Sequence, residues 1–179
     1  MGFFDEASCV WAETSSGALW DPPEGQFPGT VGLQSVVMAR TKQVAVALTG
    51  LSGFTTGFEF TIGAEWSSEM ARRSDDQISL SRSIHFGLIF DDGRKGATFS
   101  RSADNVRRDI TSKDIVVRPT SIGGGRLHRR WTYWAWPLPS SGAVTFVCEW
   151  PFYDIPESSI TIASSSIIEA AAKSVLAFQ

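Results

Sequence analysis

The stretch FEFTIGAEW at residues 58–66 constrains the fold more than any other. Phe58, Phe60, Ile62 and Ala64 fall on one parity, and Glu59, Thr61, Gly63 and Glu65 on the other. Side chains of a strand alternate between two faces, so this is an antiparallel strand with one face on a core and one in water. Residues 84–90 repeat the device. Ile84, Phe86, Leu88 and Phe90 point inward, with His85, Gly87 and Ile89 opposite. Asp92-Gly93 then predicts a tight turn into a hairpin partner that begins at 97–99.

The rest of the chain reads the same way. Residues 34–39 form a short strand. Residues 44–51, VAVALTGL, are apolar on both parities, as in a strand covered on both faces. A strand over 115–118 is expected to stop at Pro119. Gly123-Gly124-Gly125 opens the aromatic run 126–136, RLHRRWTYWAW, which Pro137 and Pro139 end. Residues 143–150, AVTFVCEW, return as its expected hairpin partner, and 159–163 supply a last strand. Residues 1–32 lack a period and carry DPPEG and Pro28-Gly29, so they read as an arm laid over the body, anchored by Trp11, Trp20 and Phe27. At the other end the period changes. Ser166 and Glu169 spell a capping box, and Ile168, Ala171, Val175 and Phe178 form a stripe at helical spacing. Glu169 and Lys173 add a favourable i,i+4 pair. With 179 residues, one domain is the natural size. The expectation is a mainly β protein: an antiparallel β-sandwich, jelly-roll-like, over 33–179, with one C-terminal α-helix at 166–178 that docks through Ile168, Val175 and Phe178.

Several short runs carry a resemblance. They are Val46-Ala-Leu-Thr-Gly-Leu51, Gly57-Phe-Glu-Phe60, Phe86-Gly-Leu-Ile-Phe-Asp-Asp-Gly-Arg94, Trp134-Ala-Trp-Pro-Leu-Pro139, Val144-Thr-Phe-Val-Cys-Glu-Trp-Pro151 and Ile155-Pro-Glu157. Together they resemble uncharacterised small bacterial hypothetical proteins with a Trp-rich β-strand, over roughly residues 44–178. That resemblance implies no activity, ligand or catalytic residue.

Residue counts exclude several classes of function. Two His and two Cys are too few for a zinc finger, an iron-sulfur site or a disulfide framework. There is no G-x-S-x-G elbow, and no G-K-[ST] follows the glycine run. No metal, cofactor or catalytic residue is therefore expected. The start, MGFFDEASCVWAE, is acidic, and no stretch approaches a membrane span. The expected location is cytoplasmic, with Cys9 and Cys148 as reduced thiols. The net charge of −3 is unevenly spread. Residues 72–130 hold 13 bases and 7 acids, while both flanks are acidic. The bases cluster as Arg72-Arg73, Arg94-Lys95, Arg107-Arg108 and Arg129-Arg130, and 67–83 and 100–114 read as exposed polar loops. Acids such as Asp75, Asp76 and Asp109 interrupt these runs, which argues against nucleic acid.

The aromatic strand is the best place to look for function. One parity holds Leu127, Arg129, Trp131, Tyr133 and Ala135, assigned to the core. The other holds His128, Arg130, Thr132, Trp134 and Trp136. Two arrangements satisfy aromatics on both faces. In one, the arm or the helix covers the outer face. In the other, Trp134 and Trp136 form an exposed surface beside Arg130 and His128 that binds a protein or stacks a sugar. A third question is whether Glu59, His85 and Glu149 converge on one site. The expected function is a non-enzymatic binding protein working through protein–protein contacts, self-association included. The alternatives are a carbohydrate or small-ligand module and a structural assembly subunit.

Overall fold

The computed structural model describes residues 2–9, 18–68, 84–98, 110–111 and 113–178. Among the described residues strand accounts for 53% and helix for 11%, so the protein is mainly β, and every strand pair in its sheets is antiparallel. The described residues form twelve strands: β1 (Gln26–Phe27), β2 (Gly29–Thr30), β3 (Val36–Arg40), β4 (Val44–Gly53), β5 (Phe58–Trp66), β6 (His85–Phe90), β7 (Lys95–Ala97), β8 (Val116–Gly124), β9 (His128–Trp136), β10 (Ala143–Trp150), β11 (Ile155–Ala163) and β12 (Val175–Leu176). The larger sheet runs β2-β4-β5-β9-β8, with β3 also on β4. The smaller runs β11-β10-β6-β7, and β1 pairs with β12 apart from both.

The two sheets face each other across one core, and alternation sets who enters it. Val44, Val46 and Leu48 of β4, Phe58, Phe60 and Ile62 of β5, and Tyr133 and Ala135 of β9 meet Phe86, Leu88 and Phe90 of β6 and Val144, Phe146, Cys148 and Trp150 of β10. Phe60 stacks on Tyr133 at 5.3 Å and meets Phe146 edge-on at 5.3 Å. The inward parities of 58–64 and 84–90 are those read from the sequence.

Three sequence expectations need correction. The aromatic strand and residues 143–150 are not a hairpin. β9 pairs with β5 and β8, while β10 pairs with β6 and β11, so the segment rich in Pro137 and Pro139 carries the chain from one sheet to the other. Strand β8 does not stop at Pro119 but runs to Gly124. It is an edge strand, where a missing N–H costs nothing on the open side, and its pairing shifts register between Pro119 and Ser121. The terminal helix, α2, spans Ser164–Ala172, not 166–178. Its N-cap is Ala163, and Ser174 closes it by donating its Oγ hydroxyl to the Ala171 carbonyl at 2.7 Å. Ile167, Ala170 and Ala171 are buried, whereas Ile168, Val175 and Phe178 are exposed. The reason lies in the opposing surface. A Cβ on Gly29 would fall on the Ala170 carbonyl, and one on Gly53 would press on Ile167 O at 2.7 Å. Paired glycines let the helix backbone lie directly on the strands, so small residues, not the large stripe, form the contact.

The short helix α1 (Phe3–Glu6) lies on the outer face of the smaller sheet, where Phe3, Phe4 and Ala7 pack with Ala97 and Val147. Trp20 and Asp21 lie by the larger sheet, on the outer side of β9, and the Gly25 carbonyl accepts from the Ala177 N–H.

Candidate functional site

Strand β9 lies between β5 and β8, so both neighbours fix its side-chain rows. On its inner face Tyr133 is buried among Phe60 and Phe86, and burial pushes its hydroxyl pKa upward. Trp131 is only partly buried. On the outer face the expected residues share a strand but not a surface. Trp134 is fully buried. Its indole N–H donates to the Trp20 carbonyl at 2.8 Å, and Phe54 meets its ring edge-on at 5.5 Å. Arg118, its cross-strand neighbour, reaches Asp21 at 2.8 Å in a half-buried ion pair. Trp136 is half-buried, Arg130 exposed, and His128 half-buried opposite Glu65. Of the two arrangements, the covered face is the one present at Trp134. Trp20 acts as an anchor through its carbonyl, while Phe27 is 61% exposed and Trp11 lies outside the described residues.

Glu59, His85 and Glu149 do not converge. His85 Nδ1 lies 2.8 Å from Glu149 Oε1 across the β6–β10 pair, on the outer face of the smaller sheet. A histidine oriented by a carboxylate is half of a nucleophile-activating arrangement. Here the two side chains are only 16% and 7% exposed, and the Phe4 ring meets His85 at 5.7 Å. The pair lies beneath the segment that carries α1. Glu59 sits on the opposite side of the molecule. Burial raises its carboxyl pKa, opposed by the Thr120 hydroxyl 3.4 Å away. Thr61 and Thr132 bond each other beside it at 3.3 Å.

The basic runs are dispersed. Arg94 pairs with Asp92 and Lys95 with Glu6. Arg72-Arg73 and Arg107-Arg108, with most of the polar stretches 67–83 and 100–114, lie outside the described residues. Arg129 and Arg130 stand on β9 near the hairpin it makes with β8. Cys9 and Cys148 are both free and buried. Among the described residues no three His, Cys, Asp or Glu side chains gather as metal ligands, and no helix is long and apolar enough to cross a membrane.

The sequence reading missed a surface. In β1 and β12, Phe27 stands opposite Val175 and Gln26 opposite Leu176. Phe27 is 61% exposed, Val175 59%, Leu176 63% and nearby Phe178 84%. The signal was present in Ser174-Val175-Leu176, a polar helix stop followed by strand formers. The helical spacing of Val175 and Phe178 hid it. Comparison of the chain with protein-family models, curated proteins and solved structures gives no match in any of the three. The class of this protein is therefore set by its fold, mainly antiparallel β, and function rests on its surfaces.

Proposed function

We propose that this chain is a non-enzymatic binding protein that works through protein–protein contacts, first of all with a second copy of itself, and that its contact surface is the β1–β12 ribbon with Phe178. The observation that supports this is the exposure of Phe27, Val175 and Leu176 on so small a ribbon, with Phe178 exposed just beyond it. Large side chains left in water at one place mark interaction surfaces on soluble proteins. A two-stranded ribbon is marginal in water by itself, and both strands here have an open edge among the described residues. Identical edges on two copies can pair about a twofold axis. A ribbon of two residues per strand is small beside the ~800 Å2 per partner of a standard interface, so the association is weak and concentration-dependent. The aromatic strand gives a sugar no ring at Trp134 while residues 18–25 cover it, so stacking is not the reading favoured.

Sedimentation velocity over a wide concentration range tests this. Dimer should grow with concentration in the wild-type chain and vanish in Leu176→Glu combined with Phe178→Glu. A wild-type chain that stays monomeric up to about 0.5 mM, far above the Kd of ordinary complexes, would overturn the proposal.

A further inference from the structure

Strand β8 forms the open edge of the larger sheet. Among the described residues it pairs with β9 alone, and residues 119–124 are all exposed. Edge strands are normally defended against further pairing. Pro119 and the register shift before Ser121 defend the first part. Ser121, Ile122 and Gly123 carry no such device, Ile122 is 64% exposed, and Gly124, at φ 148°, ends the strand.

What lies behind this edge is specific. On β9, Arg130 stands opposite Gly123 and Arg129 opposite Gly124. Neither arginine side chain has a hydrogen bond or ion pair among the described residues. Residues 116–136 contain no Asp or Glu. Alternation puts Arg130 on the outer face with Thr132, and Arg129 on the other face with Trp131. Between each arginine and the open edge stands a glycine, and a Cβ on Gly123 would meet nothing within 4 Å. A strand added at this edge would lie two spacings, about 9.5 Å, from β9. An arginine and a carboxylate side chain can meet across that distance when the strand between them carries glycine.

We propose that Ser121–Gly124 receives by strand addition an extended segment of another protein, one with two successive acidic residues opposite Gly123 and Gly124 and an apolar residue opposite Ile122. Main-chain bonds supply the pairing and the two arginines select the sequence. The arginines decide between an acidic peptide and a nucleic acid. They lie on opposite faces of the hairpin, so a phosphate backbone on one face engages only one of them. Successive residues of an added strand point to both faces. This surface is independent of the β1–β12 ribbon, and its success or failure leaves the self-association reading untouched.

The test uses the full chain and a fluorescein-labelled peptide, VTVEEVTV, followed by anisotropy. Binding should weaken as salt rises and fall at least about tenfold in Arg129→Glu combined with Arg130→Glu. The charge-swapped peptide VTVKKVTV should restore binding to that variant, which also shows that the variant is folded. Amide hydrogen exchange should slow at residues 121–124 when the peptide is bound. Three results would each overturn the proposal: no binding of VTVEEVTV, binding without protection at 121–124, or tighter binding of a labelled oligo-dT of similar length.

Discussion

The indole N–H of Trp134 donates to the main-chain carbonyl of Trp20 at 2.8 Å, joining two residues 114 positions apart. With the Arg118–Asp21 ion pair, this bond ties Trp20 and Asp21 to β9 and β8 of the larger sheet. It also satisfies the one polar atom of a fully buried ring. Trp134→Phe removes this bond and part of a buried ring, so it should cost more than the ~0.5–1.5 kcal/mol of an ordinary hydrogen bond but less than Trp134→Ala. Trp134→Ala should cost about 3–5 kcal/mol, as for other emptied aromatic sites. Trp131→Ala should cost less, because that ring is only partly buried. Urea denaturation of the three variants checks the order; a Trp131→Ala loss larger than that of Trp134→Ala would contradict it.

Close packing of α2 on the sheet predicts a contrast between glycines. At Gly53 an added Cβ meets the backbone of Ile167 and Ala171, which cannot rotate away. Gly53→Ala should therefore lift the helix and cost about 1–3 kcal/mol, as overpacking does. At Gly32 a Cβ meets nothing within 4 Å, so Gly32→Ala should stay within about 0.5 kcal/mol of the parent. Equal melting temperatures for the two variants would mean that α2 does not lie on Gly53.

Much of the fold was legible because its strands keep one apolar parity. Phe58 to Ala64 and Ile84 to Phe90 show their inner faces without help from the rest of the chain. What stayed hidden depends on partners. Pro119 signals a stop unless the strand is at an edge, and no local pattern says that it is. Ala170 and Ala171 bury because Gly29 and Gly53 oppose them, and a stripe of large residues points to the wrong face. Trp134 and Trp136 share parity with Arg130 and His128, which was correctly read, yet the cover on Trp134 comes from a carbonyl in an unpatterned segment. Exposure at Val175, Leu176 and Phe178 followed from the helix ending early, at Ala172.

Cys148 gives the protein an alkaline weakness. Burial, with the neighbouring Glu149 charge, pushes its thiol from 9.0 up to about 12. Between those values the unfolded chain has lost the proton while the folded chain keeps it. Stability is complete below the unfolded value and falls as pH rises, by up to about 1.4 kcal/mol per pH unit. Tyr133, raised for the same reason, acts in the same direction at higher pH. Denaturation midpoints between about pH 8 and about pH 10.5 should decline more steeply in the parent than in Cys148→Ala. Parallel declines would show that the thiol ionises freely in the folded protein.

Glu59 presents the opposite opportunity, a charge whose removal should help. Its carboxyl is half-buried beside Trp134 on the outer face, and burial raises its pKa while the Thr120 hydroxyl lowers it in part. The folded chain thus holds this proton more tightly than the unfolded one. The contribution is fully present below the unfolded value and is lost as pH rises through the folded one, so at neutral pH the ionised carboxylate is a net cost. Glu59→Gln keeps the size and an acceptor for Thr120 without the charge. The variant should be more stable than the parent near pH 7, with the gap closing near pH 4, about where an ordinary glutamate takes up its proton. Chemical denaturation at both values measures it. A Gln variant less stable than the parent at pH 7 would mean that the carboxylate is held in its charged form by the hydroxyls of Thr120, Thr61 and Thr132. The outer face would then have to be reconsidered as a built polar site, not as solvated sheet.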